Sequence, residues 1–184
     1  KNVASLALIL LIIATQASLL EVVWRQVPYI YRHRNYYGIY RIYDLQNVRH
    51  LVSGTTLHGA QYQQEAKKRT PLFYYMPSTP VAKVMTDSSS ELRNIGIVGL
   101  GAGALTGYTK SGQDVDYFEL DPDVVKIARS YFTFLKDAPS RIRVIVGDAR
   151  LSLNSIPKKH YDLLVIDAFG GDAIPTHLLT KEVL

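Results

Sequence analysis

Residues 95–104 read Ile95-Gly96-Ile97-Val98-Gly99-Leu100-Gly101-Ala102-Gly103-Ala104, and Glu119 follows twenty residues after Gly99. The apolar run Ile95 to Val98 reads as a short buried strand. A strand that turns into a helix through glycines brings bare backbone close to a ligand. An acid about twenty residues further on, at the end of the next strand, suits the two hydroxyls of a ribose. The stretch therefore reads as a nucleoside site. The same letters, Gly99-x-Gly101-x-x-Ala104, also satisfy the nicotinamide dinucleotide fingerprint, so the nucleoside is not fixed by the glycines alone.

Downstream, Val115 to Leu120 reads as a second strand. Asp121-Pro122 then opens a helix, with Asp121 as N-cap and Pro122 at the first helical position. Val124, Ile127, Ala128, Tyr131 and Leu135 give that helix one apolar face. A third strand, Ile142 to Val146, ends in Gly147-Asp148-Ala149, and a fourth, Tyr161 to Ile166, ends in Asp167. Three successive strands thus each end in an acid. In an open α/β sheet the ligand lies outside the carboxyl ends of the strands, so Glu119, Asp148 and Asp167 converge on one crevice. Three acids suit a cationic, hydroxyl- and amine-rich ligand better than a pyrophosphate.

These residues resemble the class I S-adenosylmethionine-dependent fold: Asn94 to Gly103, Asp116-Tyr117-Phe118-Glu119-Leu120-Asp121-Pro122 and Gly147-Asp148-Ala149-Arg150. More narrowly they resemble the spermidine synthase (polyamine aminopropyltransferase) family. Within it, Thr56-Leu57-His58-Gly59 and Asp167-Ala168-Phe169 are similar to the branch fused behind membrane-spanning segments. The resemblance covers roughly residues 36–184. It implies an α/β architecture: a Rossmann-like domain at 91–184, C-terminally truncated, behind a small β-domain at 36–90 and an apolar helix and linker at 1–35. It implies aminopropyl transfer from decarboxylated S-adenosylmethionine to a diamine such as putrescine, without a metal. Gly99, Leu100, Gly101, Ala102 and Gly103 would hold the methionine-derived part of the co-substrate. Glu119 with Leu120 would hold the ribose, and Asp148 with Ala149 the adenine. Asp167 would be the catalytic acid–base residue, and Tyr74, Tyr75 and Asp172 would line the amine pocket.

Three departures stand against full carry-over. The family's glycine loop usually carries an Asp where this chain has Ala102, the usual Asp-Ser-Ser-Asp-Pro loop is here Asp167-Ala168-Phe169-Gly170-Gly171-Asp172 with the second acid displaced by two positions, and Tyr74-Tyr75-Met76 replaces the usual Tyr-His-Glu. The loss at Ala102 keeps S-adenosylmethionine itself, and a methyltransferase, as the alternative. A nicotinamide oxidoreductase and a non-catalytic nucleoside sensor attached to a transporter also stay open.

Composition narrows the rest. The 184 residues contain no cysteine, which excludes disulfides and thiolate metal sites. His33, His50, His58, His160 and His177 show no ligand spacing and read as scattered surface or turn residues. Val3 to Leu20 is apolar but for Ser5, Thr15, Gln16 and Ser18, about the minimum length of a spanning helix. Arg25, Arg32 and Arg34 follow it, which by the positive-inside rule puts the domain on the cytoplasmic side of a membrane. Residues 1–90 hold ten Lys/Arg against four acids, and residues 91–184 eleven against twelve. That basic excess suits anionic lipid headgroups more simply than nucleic acid. A homodimer is left open. Lys1 opens the chain and Leu184 closes it just inside an expected helix, so both ends read as cut.

Within the β-domain, a hairpin is expected to pair Tyr37–Tyr43 with Val48–Val52 across residues 44–47. Gly54 and Gly59 bracket a short extended piece, Gln61–Thr70 reads as polar loop, and Ser78-Thr79-Pro80 starts a helix ending near Asp87.

Overall fold

The computed structural model describes residues 28–88, 91–169 and 176–179. Its first half is an antiparallel meander, in spatial order β1 (Tyr31–Arg34), β2 (Ile39–Leu45), β3 (Val48–Ser53) and β4 (Thr56–Tyr62). The β2–β3 hairpin closes through Gln46 and Asn47 alone, both at positive φ (51° and 61°). Two successive left-handed residues match the twist of the flanking strands, and Asn tolerates that conformation better than most.

The second half is a parallel sheet in the order β7-β6-β5-β8. Its strands are β5 (Asn94–Val98), β6 (Asp114–Glu119), β7 (Arg141–Val146) and β8 (Leu163–Ile166). The chain runs outward from β5 to β6 and β7, then returns to pair β8 on the other side of β5. That reversal opens a crevice at the carboxyl ends of the strands. Helix α1 (Pro80–Asp87) begins with proline at its first position, as expected. In α2 (Pro122–Tyr131) Asp121 is the N-cap, its side chain accepting from the Asp123 amide, and Val124, Val125, Ile127 and Ala128 are buried. Helix α3 (Ala149–Asn154) is capped in the same way by Asp148.

The two sheets share one core. Tyr40, Ile42 and Leu51 from the meander pack in the same cluster as Ile95, Ile97, Val115 and Tyr117 from the parallel sheet. Polar bonds pin the junction. Asp121 accepts from the Tyr40 hydroxyl and the Asn35 amide, both at 2.7 Å. Gln61 and Thr133 exchange two bonds at 3.0 Å.

Several expectations differ from what is observed. The meander starts at Tyr31, inside the stretch assigned above to a linker. The extended piece after Gly54 continues through Gly59 to Tyr62, so Gln61 is a buried strand residue and not part of a polar loop. The segment after the glycine turn, Ala104–Tyr108, is a 3-10 helix and not an α-helix. Its Thr106 and Thr109 hydroxyls bond back to the carbonyls of Gly103 and Thr106, which competes with regular helical pairing. Helix α2 stops at Tyr131, so Leu135 reaches the core from the loop beyond it. No helix among the described residues is long and apolar enough to cross a membrane. Residues 3–20, expected to form the apolar helix, lie outside the described residues.

Candidate active site

A cavity of about 1020 Å³ opens where the glycine turn, the carboxyl ends of β5, β6 and β8, and strands β2 to β4 meet. Its volume sits at the upper end of the ~300–1,000 Å³ typical of small-molecule sites. Glu119, Asp148 and Asp167 all line it, together with Asp121, and no Lys or Arg does among the described residues. The crevice is therefore apolar-walled and acidic, an environment that favours a cation.

The glycine turn is built for close approach. Gly99 has φ of 96°, and a Cβ there would stand 2.5 Å from the Asp167 carbonyl oxygen. A Cβ on Gly101, also at positive φ, would collide with the His58 carbonyl. Only glycine lets the turn lie between β8 and β4. Gly99, Leu100 and Gly101 line the cavity. Ala102 and Gly103 do not: Ala102 is 1% exposed and packs on Gly59, while Gly103 backs onto Leu135.

Glu119 ties this turn to the next element. Its Oε2 accepts the Leu100 amide at 3.0 Å and its Oε1 the Asp121 amide at 2.9 Å. Burial pushes its carboxyl up, and these amides work against that. Each oxygen keeps a lone pair that can face the cavity. Leu120, half exposed beside it, and Ala149 also line the wall. Asp148 spends Oδ1 on the Arg150 and Leu151 amides, at 2.8 and 3.3 Å, which leaves Oδ2 for a ligand.

Asp167 stands at the end of β8, its amide bonded to the Val98 carbonyl. Its Oδ2 accepts the Tyr75 hydroxyl at 2.6 Å. Burial pushes its carboxyl up to about 6, with the Tyr75 bond pulling the other way. Burial and the neighbouring Asp167 charge hold the Tyr75 phenol far above its ordinary value, so it stays a hydroxyl donor. The Tyr108 hydroxyl bonds to the Tyr75 carbonyl and fixes the turn that carries it. Tyr74 lines the mouth and is exposed, whereas Tyr75 reaches inside. Asp172 lies outside the described residues.

Sequence reasoning missed part of the wall. Tyr37, Tyr40 and Leu51 reach the cavity from the meander. The histidines are not merely scattered: His50 is buried and stacked on Tyr43 at 4.9 Å, His33 pairs with Asp123, and His58 lines the cavity. The Thr56-to-Gly59 stretch was the one signal pointing there.

No family model matches the chain. A polyamine aminopropyltransferase of Vibrio vulnificus is 31% identical over 170 residues, 86% of this chain and 54% of that protein. An N-terminal histidine N-methyltransferase of Emericella nidulans is 39% identical over 93 residues, 48% of this chain and 16% of that protein. The chain thus spans about half, or less, of the length of these curated relatives. Among solved structures, a probable spermidine synthase from Corynebacterium glutamicum superposes with a TM-score of 0.66, over 85% of this chain and 58% of that one, at 17% identity. Spermidine synthase from Thermotoga maritima gives 0.57 over 84% and 50%, also at 17% identity. At that identity the two structures speak for the fold, which they share across both sheets.

Proposed function

We propose that this chain, a homologue of the spermidine synthases with their class I S-adenosylmethionine-type fold, transfers an aminopropyl group from decarboxylated S-adenosylmethionine to a diamine such as putrescine. The observation that carries the reading is the Tyr75–Asp167 pair beside the glycine turn, in a cavity lined by acids and, among the described residues, by no Lys or Arg.

The chemistry follows from charge. An alkylamine has a pKa near ~10, so at pH 7 it is almost wholly protonated and cannot attack. Asp167 draws the ammonium in and takes its proton as the nitrogen meets the carbon beside the sulfonium. The new C–N bond forms as the C–S bond breaks. The sulfonium leaves as the neutral thioether of methylthioadenosine, and the proton rests on Asp167. Tyr75 holds the carboxylate in register through its hydroxyl. Glu119 takes the ribose hydroxyls and Asp148 the adenine amino group. Membrane attachment through residues 3–20, with the domain on the cytoplasmic side, belongs to the same proposal and rests on composition alone.

Methyl transfer from S-adenosylmethionine to nitrogen is the second reading. It is favoured by the absence of an acid on the glycine turn and by the similarity to the Emericella nidulans methyltransferase. Incubating the full-length protein with each sulfonium compound and a panel of amines separates the two. Aminopropyl transfer releases methylthioadenosine, and methyl transfer releases S-adenosylhomocysteine. Release of the latter alone overturns the first reading.

A further inference from the structure

Strand β4 holds one residue more than β3 can pair. Leu51 faces Gly59 and Val52 faces Leu57, so His58 stands between them as a bulge. A bulge breaks the alternation of a strand and re-aims the side chain it adds. Leu57 and His58, adjacent in sequence, accordingly both line the cavity. The His58 imidazole makes no hydrogen bond among the described residues, and burial alone shifts it, holding it in the neutral form. Its own carbonyl touches the glycine turn at Gly101.

At the turn itself the carboxylate of Glu119 is engaged by the Leu100 and Asp121 amides, one on each oxygen. Ala102 is a methyl packed on Gly59, and Leu100 is apolar. Asp121 is spent on Tyr40, Asn35 and the Asp123 amide. Asp148 and Asp167 stand at the ends of other strands. The ammonium that ends the tail of a sulfonium co-substrate needs an acceptor here, and no Lys or Arg among the described residues lines the cavity to meet the carboxylate that S-adenosylmethionine carries beside that ammonium. A neutral imidazole carries one ring nitrogen with a free lone pair. We infer that His58 accepts a hydrogen bond from the primary ammonium at the end of the co-substrate's aminopropyl tail, an assignment that rests on the aminopropyl reading above.

Calorimetry on the full-length protein, with decarboxylated S-adenosylmethionine, S-adenosylmethionine and methylthioadenosine, tests it. Methylthioadenosine lacks the tail and reports the rest of the site. His58→Leu should weaken the decarboxylated compound about tenfold while leaving methylthioadenosine unchanged. His58→Gln, whose amide oxygen also accepts, should keep most of the affinity. Equal effects of His58→Leu on the decarboxylated compound and on methylthioadenosine, or none on either, overturn the assignment. If the unaltered protein binds neither sulfonium compound, the aminopropyl reading itself falls.

Discussion

Replacing Asp167 by Asn keeps the size of the side chain and removes the base. Turnover should fall on the order of 10²–10⁴-fold with co-substrate affinity nearly intact, as single-turnover and binding measurements would report. The same variant has a signature in stability. A carboxyl raised to about 6 from its ordinary 3.8 stabilises the fold while protonated. That contribution is fully present below about pH 4 and is lost as pH rises through about 6, worth up to ~3 kcal/mol. Asp167→Asn should therefore raise Tm at pH 7 and leave it unmoved at pH 4, and equal shifts at both would contradict the buried carboxylate. Ala102 makes the opposite case. Ala102→Asp, which the family pattern suggests as a gain of specificity, would bury an unpaired carboxylate against Gly59. A loss of several kcal/mol in denaturant unfolding is expected, with no gain in co-substrate selection.

At the scale of elements, the local signals were legible. The glycine turn, the Asp121-Pro122 helix start and the strand-terminal acids are set by neighbours a few residues away. What was not legible depended on distant partners. Strand β1 is Tyr-Arg-His-Arg, a charged stretch that becomes a strand because β2 pairs it and Asp123 takes its His33. The bulge at His58 is a matter of register between two strands, which composition cannot reveal. Nor does sequence show that Ala102 lies outside the cavity lining, since Gly59 on another sheet decides it. That contact gives an element-scale prediction. Gly59 has φ of 155°, and a Cβ there would sit 2.6 Å from the Ala102 Cβ. Gly59→Ala should push the glycine turn out of place, costing about 1–3 kcal/mol in thermal unfolding and weakening methylthioadenosine binding with it. A variant with normal stability and normal binding would show that β4 does not seat the turn.

Across the whole molecule, the meander does more than precede the parallel sheet. Its strands supply one wall of the cavity, and the shared core locks that wall to the carboxyl ends of β5, β6 and β8. The acidic lining sits inside a chain whose net charge is +5, so the basic excess lies elsewhere, in residues 1–90. This separation suits a cationic ligand in the crevice and an anionic surface beside the N-terminal half. Mass spectrometry on the full-length protein, given decarboxylated S-adenosylmethionine and putrescine, tests the central claim most directly. Aminopropylated amine should appear in step with methylthioadenosine, and the Asp167→Asn variant should all but abolish both. An unaltered protein that binds the sulfonium compound yet leaves every amine unmodified would contradict it.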